Sequence, residues 1–525
     1  QNNALKFLNS KNNRFDVSVL QGTTGSGKTL VYFERIKKII AENKQALVLL
    51  PEIFLTNEFK TRFYDFFGFE PAIWHSKITP KNKRIIWNGI INNNIKLVVG
   101  ARSSLLLPFK KLGVIIVDEE HDTSYKQDEG VIYHARDMAI VRASFEKIPI
   151  HLVSSIPSLE TFNNIQNKKF RHFKINKRYA NYPLPKTKIV NLNLKKIKNS
   201  FVSDESIEIV KKFLEKGEQV LFFLNRRGYS PFVVCKKCGY KFQCPNCSVN
   251  LNYHKNLNKL LCHYCGNKSS LSRLCKDNKK CDFLFCGPGV ERVFAELKKI
   301  YPEKKIEIFS SDTLKKNKST NELLKKVESK KIDILVGTQL LSKGFHFPKL
   351  NCIVVVDGDF SSHGYDLRAA EKNIQLYHQL AGRAGREGSP STIFFQTYTP
   401  EDEVLINISR NDPELFLKTE LSLRKNKKLP PFYRLISLII SGESENLIMK
   451  FATSIKFKLP KINDVSIFGP VLAPIIKMRK KYRCRILIKY PKNLFIQKYL
   501  SQTLNKIKIV SGIKLEVDVD PINFS

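Results

Sequence analysis

The chain has 525 residues and is 42% hydrophobic, so it can bury several hydrophobic cores, in about three or four domains. Its formal net charge of +41 favours a polyanionic partner, which for such a chain is nucleic acid before a membrane surface. Lys, Asn and Ile are abundant throughout the chain, so compositional drift is an alternative explanation for much of the excess positive charge. No apolar run approaches the roughly eighteen residues of a membrane-spanning helix.

The cysteines point to a metal rather than to disulfides. Seven of the 11 lie between Cys235 and Cys275, with Cys281 and Cys286 just beyond. In a long chain without a signal peptide, this spacing predicts a metal site in a reducing compartment. The chain opens at Gln1 instead of Met, so we expect it to be a fragment of a longer protein.

The first third of the chain, residues 1–182, alternates short apolar runs with longer mixed segments. The runs are ALVLLP, IKLVVG, LGVIIVDEE and IPIHLVSS. Such runs, bounded by breakers, are typical of buried parallel strands with helical crossovers, so they predict a first α/β lobe. The prolines and polarity of YPLPKTKIV, which follows, predict a linker.

A second α/β lobe is predicted from QVLFFLN, KIEIFSSD, DILVGTQ, CIVVVDGD and TIFFQTY. Its two parts, residues 183–232 and 287–420, are separated by a cysteine-rich insert at 233–286. After LPPF the apolar pattern changes to fewer, longer alternating strands, which predicts a small α+β domain over 421–525. The predicted fold class is therefore α/β, with two lobes, an insert and a C-terminal domain.

The sequence GTTGSGKT has the spacing of a phosphate-binding loop. Its members are Gly22, Thr23, Thr24, Gly25, Ser26, Gly27, Lys28 and Thr29. The loop follows the apolar run FDVSVLQ and precedes a helix-like segment, the context that distinguishes such a loop from a chance match. Its backbone N–H groups can converge on phosphate oxygens, while Lys28 reaches the β- and γ-phosphates and Thr29 holds Mg²⁺.

An apolar strand ends in a carboxylate cluster at VIIVDEEHD. Asp118 suits Mg²⁺ coordination, and Glu119 suits polarisation of the attacking water. A solvated acidic turn is the alternative, but it predicts no particular order of residues. The phosphate loop and this cluster together predict a nucleoside triphosphatase.

Two arginines three residues apart, Arg383 and Arg386, lie in QLAGRAGREG. From a second lobe they can stabilise charge on the transferring phosphoryl group. A Gly-Arg repeat alone is more often a phosphate-contacting loop without a catalytic role. Its place in the second α/β series favours a motor in which hydrolysis depends on the closing of two lobes.

These motifs carry a resemblance to a known family. In chain order they are GTTGSGKT, LLPEIFLT, GARSSLLLPF, DEEHDTSYKQDEG, YHARD, FLNRRGYSP, GTQLLSKGFHFP and QLAGRAGR. The series resembles that of the primosomal replication-restart helicases (the primosomal protein N′, or PriA, family), which are superfamily 2 DNA helicases. The resemblance runs from the beginning of the chain to the final DVDP. It implies an ATP-dependent 3′→5′ DNA helicase that recognises stalled or collapsed replication forks, assembles the primosome and loads the replicative helicase.

The resemblance also implies site residues. ATP contacts would come from the phosphate loop, Asp118, Glu119, Gln379, Arg383 and Arg386. Single-stranded DNA would lie near Arg102, Arg226, Arg227, Thr338 and Lys343. The segment SYKQDEGVIYHARD resembles the family's aromatic-rich loop, which couples DNA contact to hydrolysis; it makes Tyr125, Lys126 and Tyr133 further DNA-binding candidates.

This chain departs from the family pattern at several positions. Val131 stands where the family usually has an aromatic residue, and Ile156 replaces the Thr of a Ser-Ala-Thr motif. The segment IEIFSSD lacks the charged residues common there. These changes bear on the coupling of DNA to hydrolysis more than on nucleotide binding. We expect the family's N-terminal DNA-binding and winged-helix domains to lie outside this sequence.

Three Cys-x-x-Cys pairs are each half of a tetrahedral thiolate site: Cys235 and Cys238, Cys244 and Cys247, Cys262 and Cys265. Turns of the CG and CP type favour zinc over iron–sulfur. The family pattern nests four pairs, so that Cys244, Cys247, Cys262 and Cys265 would share the inner zinc. The insert is too small to bury a core, so we expect metal to stabilise it.

The outer zinc site is irregular. It would use Cys235, Cys238 and Cys275, but Asn278 stands where the family has the fourth thiol. Cys281 is the nearest substitute, with Cys286 the next choice. Cys352, Cys484, Trp74 and Trp87 stand alone, and we expect them in hydrophobic cores.

The predicted cofactors are ATP, Mg²⁺ and Zn²⁺, two zinc ions per chain. The resemblance implies forked and single-stranded DNA, primosome and helicase-loading proteins and single-stranded DNA-binding protein as partners, in the bacterial cytoplasm with the nucleoid and not in a membrane. Two alternatives remain open. One is a fork-binding scaffold with weak or no unwinding, which Val131 and Ile156 favour. The other is a zinc-ribbon translocase of DNA repair.

Overall fold

The computed structural model describes residues 1–523 with the following exceptions: 12–13, 52–56, 129, 177, 179–181, 195–199, 225–232, 236–237, 241, 243–250, 255–258, 263–265, 271–282, 286–289, 310–325, 328, 339–346, 348, 360–365, 386–388 and 479–480. Secondary-structure elements are numbered in chain order. Within the described residues, no helix is both long enough and apolar enough to cross a membrane.

The first lobe is a parallel sheet between two layers of helices. Its strands are β1 (Asp16–Gly22), β2 (Gln45–Leu49), β3 (Ala72–Trp74), β4 (Leu97–Gly100), β5 (Leu112–Asp118), β6 (Pro149–Ser154) and β7 (Arg171–Ile175), in the order β3-β4-β2-β5-β6-β1-β7. Its helices are α1 (Asn2–Asn9), α2 (Lys28–Ala41), α3 (Asn57–Phe67), α4 (Pro80–Ile91), α5 (Ala135–Phe145) and α6 (Leu159–Gln166). All four apolar runs form strands, and a hydrophobic cluster covers each face of the sheet.

The second lobe repeats this architecture. Its strands are β8 (Lys186–Asn191), β9 (Gln219–Phe223), β15 (Ile306–Phe309), β16 (Ile334–Gly337), β17 (Leu350–Val355) and β18 (Thr392–Thr397), all parallel, in the order β15-β16-β9-β17-β18-β8. Its helices are α7 (Asp204–Glu215), α8 (Val290–Ile300), α9 (Ala369–Ala381), α10 (Glu403–Arg410) and α11 (Pro413–Asn426). The linker prediction was wrong for its second half, which forms β8. This strand alternates exposed and partly buried residues at the sheet edge, so it lacks the continuous apolar run of a central strand.

The cysteine-rich insert leaves and re-enters the second lobe at one place. Strand β10 (Val233–Cys235) pairs antiparallel with β14 (Phe283–Phe285), which brings the two ends of the insert together. Between them, β11 (Asn252–His254), β12 (Lys259–Leu261) and β13 (Lys268–Ser270) form a small antiparallel sheet. The insert is therefore an excursion that leaves the parallel sheet of the second lobe intact.

The C-terminal domain is an antiparallel sheet with helices, as predicted. Its strands are β19 (Tyr433–Gly442), β20 (Ser466–Met478), β21 (Lys481–Pro491) and β22 (Ile513–Val519), in the order β20-β21-β19-β22, and its helices are α12 (Glu445–Lys458) and α13 (Gln497–Asn505). Helix α11 runs through the expected boundary at 420–421, and its Leu421 packs in the core of the second lobe. We therefore propose that the domain begins after Asn426.

Four isolated residues were expected in cores. Cys352 and Cys484 are fully buried in strands, which confirms that expectation, and Trp74 packs against the core of the first lobe. Trp87 is 43% exposed, so its prediction was wrong. It lies on α4, whose buried residue is Ile90, near the edge of the sheet.

Candidate functional site: a nucleotide site between two lobes

The phosphate loop joins β1 to α2 in a conformation that its glycines make possible. Gly25 has φ +83° and Gly27, the cap of α2, has φ +82°. These left-handed angles favour glycine, because a Cβ atom would clash with the neighbouring backbone. The helix begins at Lys28, so the N–H groups of its first turn face the loop, as anion binding requires.

Lys28 and two hydroxyl groups supply the polar lining of the loop. The Lys28 Nζ donates to the Gly22 carbonyl at 2.6 Å and to the Thr23 carbonyl at 3.1 Å. Burial lowers the pKa of Lys28, while the nearby Glu119 and Asp118 act in the opposite direction. Among the described residues, Thr23 Oγ1 and Ser26 Oγ are buried polar atoms without a hydrogen-bond partner. An anionic ligand fits a loop that offers one buried cation and unused hydroxyl groups.

The carboxylate pair lies at the end of β5, next to α2. Tyr32 donates a hydrogen bond to Asp118 Oδ2 at 3.0 Å, and the backbone N–H of Glu119 donates to Asp118 Oδ1 at 2.9 Å. Burial, and then the charge of Glu119, raise the pKa of Asp118 to about 7. Since two carboxylates crowded in a buried place repel each other, a divalent cation between them and a phosphate would relieve the repulsion. The residues thus fit Mg²⁺.

The second lobe reaches this site through the end of α9. Gln379 Nε2 donates to Glu119 Oε2 at 3.1 Å and lies 3.0 Å from His121 Nε2. Gly382 packs so closely on the loop that a Cβ atom there would lie 2.2 Å from Thr24 Cβ. Arg383 is close enough to Lys28 to lower its pKa further. The structure therefore brings Gln379 and Arg383 to the phosphate loop, while Arg386 lies outside the described residues.

A buried ion pair behind the site was not foreseen from the sequence. Glu120 is fully buried and accepts hydrogen bonds from Arg136 (3.0 Å) and from the Ser158 backbone N–H (2.7 Å). Ser158 is also the N-cap of α6, where its side chain accepts from Thr161. Burial alone would lower the pKa of Arg136, but Asp137 and Glu120 raise it well above its usual value. In DEEHD, Glu120 looks like its neighbours, and nothing in the sequence marks it as the buried member.

Two of the DNA-binding predictions do not fit the positions of the residues. Tyr125 is 1% exposed, and its hydroxyl donates to the carbonyls of Asp118 (2.5 Å) and Leu49 (2.9 Å), so its ring is not free to stack on a base. Lys126 is 3% exposed. Its ammonium group forms an ion pair with Asp518 at 2.7 Å and donates to the Val519 carbonyl at 2.7 Å. The side chains of Tyr125 and Lys126 are therefore engaged with buried partners that the tertiary structure brings to them.

The other DNA-binding candidates remain predictions. Arg102 donates to the Lys126 carbonyl at 2.6 Å, and Tyr133 is partly buried against the core of the first lobe. Thr338 directly follows β16 in the second lobe. Arg226, Arg227 and Lys343 lie outside the described residues.

Two of the cysteine pairs begin with turns of the same type. At Cys235 the backbone N–H donates to the Tyr240 carbonyl, and at Cys262 it donates to the Asn267 carbonyl. In both turns the glycine four residues after the first cysteine, Gly239 or Gly266, has a left-handed φ and donates to that cysteine's carbonyl at 2.8 Å. A repeated tight turn of this kind can present two thiolates to one tetrahedral ion, so the described part of the insert fits zinc.

Cys238 is also described and is exposed. The other predicted ligands lie outside the described residues: Cys244, Cys247, Cys265, Cys275 and Cys281. The same holds for Asn278 and Cys286.

Comparison with known sequences identifies the class of protein. Residues 1–162 match the DEAD/DEAH box helicases, and residues 266–388 match the helicase conserved C-terminal domain. With a phosphate loop in one lobe and α9 of the other lobe packed on it, these matches define a two-lobed ATP-dependent helicase.

Further matches give the family. Residues 244–269 match the PriA DNA helicase Cys-rich region (CRR) domain, and residues 425–522 match the Primosomal protein N C-terminal domain. The chain is 44% identical to the replication restart protein PriA of Rickettsia conorii, over 100% of this chain and 81% of that protein. It is 36% identical to the protein of the same name from Bacillus subtilis, over 96% of this chain and 64% of that protein. The chain belongs to the PriA family of replication restart helicases and is an ATP-dependent DNA helicase.

The Gly382 contact predicts a steric dependence of hydrolysis. Gly382 has ordinary helical angles (φ −66°), so alanine strains nothing locally, but its methyl group must displace Thr24. We expect Gly382→Ala to slow DNA-stimulated ATP hydrolysis on the order of a hundred-fold, since small misplacements of reacting groups have effects of this size. The additional change Thr24→Gly removes the clashing Cβ and should restore part of the rate. Undiminished hydrolysis in Gly382→Ala would show that the lobes do not need this contact.

The Lys126 ion pair predicts an effect on stability. Lys126→Met leaves the Asp518 carboxylate, 8% exposed, without its cation, which should destabilise the chain by about 3–5 kcal/mol. The control is Lys514→Met, on the same strand as Asp518. The Lys514 ammonium pairs with Glu516 at the surface, so this change should lower the free energy of unfolding by less than about 1 kcal/mol. Denaturant unfolding of both variants tests the difference. Equal midpoints would mean that Lys126 is not held by Asp518 in solution.

Proposed function

We propose that this helicase moves 3′→5′ on DNA, recognises stalled or collapsed replication forks, assembles the primosome and loads the replicative helicase. The observation that supports a working motor is the nucleotide site itself, in which Gln379 of the second lobe reaches Glu119 of the first. Relatives named replication restart proteins support the role at forks. Such a role belongs in the bacterial cytoplasm with the nucleoid.

In the proposed mechanism the loop residues Gly22 to Thr29 bind the nucleotide phosphates, with Lys28 on the β- and γ-phosphates. Mg²⁺, when bound, neutralises phosphate charge, and Thr29 and Asp118 would hold it. Glu119 orients and polarises the attacking water. Gln379, Arg383 and Arg386 add charge stabilisation from the second lobe, so that hydrolysis reports whether the lobes are closed.

For DNA we propose a path across both lobes near Arg102, Arg226, Arg227, Thr338 and Lys343, with Tyr133 as the remaining stacking candidate. The net charge of +41 supports a polyanionic partner. Forked and single-stranded DNA are the proposed substrates. Primosome proteins, helicase-loading proteins and single-stranded DNA-binding protein are the proposed protein partners.

We propose two zinc ions per chain. Cys244, Cys247, Cys262 and Cys265 would hold the inner ion, and Cys235, Cys238, Cys275 and Cys281 the outer one. The pairing of β10 with β14 would hold the two ends of the insert together. Gly239 would hold the insert against the second lobe, because it lies against the Tyr398 carbonyl with no room for a side chain. We propose that the insert assists the separation of DNA strands, as the family resemblance implies.

A fork-binding scaffold without unwinding is the rival from another class, and two departures from the family pattern support it. Ile156 is buried among residues of both lobes, and Val131 is 77% exposed in the loop expected to couple DNA to hydrolysis. The presence of Lys28, Asp118, Glu119 and Arg386 in the sequence favours the motor. Unwinding of duplexes with a 3′ or a 5′ single-stranded tail decides between them and gives the direction.

The first test of the nucleotide site uses Lys28→Ala and Glu119→Gln. We expect each to lower DNA-stimulated ATP hydrolysis by about a hundred- to a thousand-fold, since each removes an interaction with the transition state. Glu119→Gln should still bind ATP, whereas Lys28→Ala should bind it weakly. Both should leave a 3′-tailed duplex unseparated, while the wild-type chain unwinds it.

Two results would count against this assignment. Hydrolysis that survives either change would move the active site elsewhere. A wild-type chain that binds forks without hydrolysis or unwinding would support the scaffold instead.

The second test concerns the irregular zinc site. Elemental analysis of the purified wild-type chain should give two zinc ions, and Cys281→Ser should retain about one. Cys286→Ser is the matched control, because Cys286 is the other nearby thiol, and it should retain both. One zinc in the wild-type chain, or loss in Cys286→Ser and not in Cys281→Ser, would refute Cys281 as a ligand.

A further inference from the structure

Arg178 lies where three segments of the chain meet. It follows β7 in the connection between the lobes and is 9% exposed. Its Nη1 donates to the Pro183 carbonyl at 2.9 Å, and its Nη2 donates to the Gly382 carbonyl at 3.5 Å. The guanidinium also lies over the phosphate loop, since a Cβ atom on Gly25 would be 3.8 Å from Arg178 Nε.

The charge of Arg178 is not balanced by a carboxylate among the described residues. Among the described residues its hydrogen-bond acceptors are the two carbonyl oxygens, although a guanidinium carries five N–H donors. Burial lowers the pKa of this guanidinium, and no acidic neighbour in the described part of the chain raises it. Two other buried arginines do have a carboxylate partner: Arg136 pairs with Glu120, and Arg424 pairs with Glu371. Buried charges are normally paired, so an anion is expected beside Arg178.

We propose that Arg178 is a nucleotide-binding residue whose guanidinium contacts the polyphosphate of ATP from the connection between the lobes. This inference rests on the proposed nucleotide site and adds a residue that the phosphate loop, the carboxylate pair and the two arginines of the second lobe do not include. The guanidinium fork matches two phosphate oxygens at once, which an ammonium group cannot do.

The position of Arg178 also gives it a role in lobe closure. Its Nη2 contacts the carbonyl of Gly382, the residue that packs on Thr24, while its Nε faces the loop at Gly25. A phosphate bound there would share one guanidinium with the second lobe. Nucleotide occupancy would therefore favour the closed arrangement through Arg178 as well as through Gln379.

The test is titration of the full chain with a fluorescent ADP derivative, mant-ADP, in the presence of Mg²⁺. We expect Arg178→Ala to weaken binding about ten- to a hundred-fold, the range for losing hydrogen bonds to a charged group. Arg178→Lys should lie between, because it keeps the charge and loses the fork. Lys174→Gln is the matched control: this cation lies four residues earlier and pairs at the surface with Glu414, so it should bind mant-ADP like the wild-type chain.

Several outcomes would overturn the proposal. One is that Arg178→Ala binds mant-ADP with wild-type affinity. Another is that Lys174→Gln loses as much mant-ADP affinity as Arg178→Ala, which would indicate a general effect of charge. If Arg178→Ala does not unfold cooperatively, Arg178→Lys decides: weaker binding supports the proposal and unchanged binding contradicts it. Failure of the proposed function would give a different result. If the wild-type chain binds mant-ADP through Arg178 but does not hydrolyse ATP in the presence of DNA, the motor function is refuted and the assignment of Arg178 is not affected.

Discussion

The contact between Gly382 and the phosphate loop is the constraint on which the rest of the nucleotide site depends. Because Gly382 has no side chain, the end of α9 can approach Thr24 closely. That approach places Gln379 within hydrogen-bonding distance of Glu119 and brings Arg383 near Lys28. A loop and a carboxylate pair from one lobe thereby become a site that a second lobe completes, which is the arrangement a motor requires if hydrolysis is to depend on closure.

Buried charges hold the two lobes together behind this site. Glu160 of α6 pairs with Arg368 at 2.7 Å, next to a pair between Glu371 and Arg424 at 3.3 Å. Burial alone would raise the pKa of Glu160, but Arg368 and its neighbours hold it well below its usual range. Glu371 also accepts the Leu159 backbone N–H at the beginning of α6. Since removing one partner would leave a buried charge unpaired, these pairs fix how the two lobes meet.

The sequence predicts the structural features whose signals lie within a short stretch of the chain. The sequence predicts the central strands because both their faces are buried and their apolar runs are continuous. It predicts a linker at β8, because this strand lies at a sheet edge and its residues alternate between exposed and partly buried. Lys28, Asp118 and Glu119 were predicted because their order along the chain is itself the motif. Glu120 and Arg178 were missed, and Lys126 was assigned to DNA, because their burial and partners come from segments distant in sequence. Pairings of that kind leave no local trace.

We propose that this chain converts contact with DNA into ATP hydrolysis at a site shared by two lobes. The most direct measurement is steady-state ATP hydrolysis by the purified wild-type chain, with and without single-stranded DNA, at several salt concentrations. We expect slow hydrolysis without DNA, a large increase with DNA, and loss of that increase as salt weakens binding to the phosphate backbone. A rate that is unaffected by DNA at every salt concentration would contradict it.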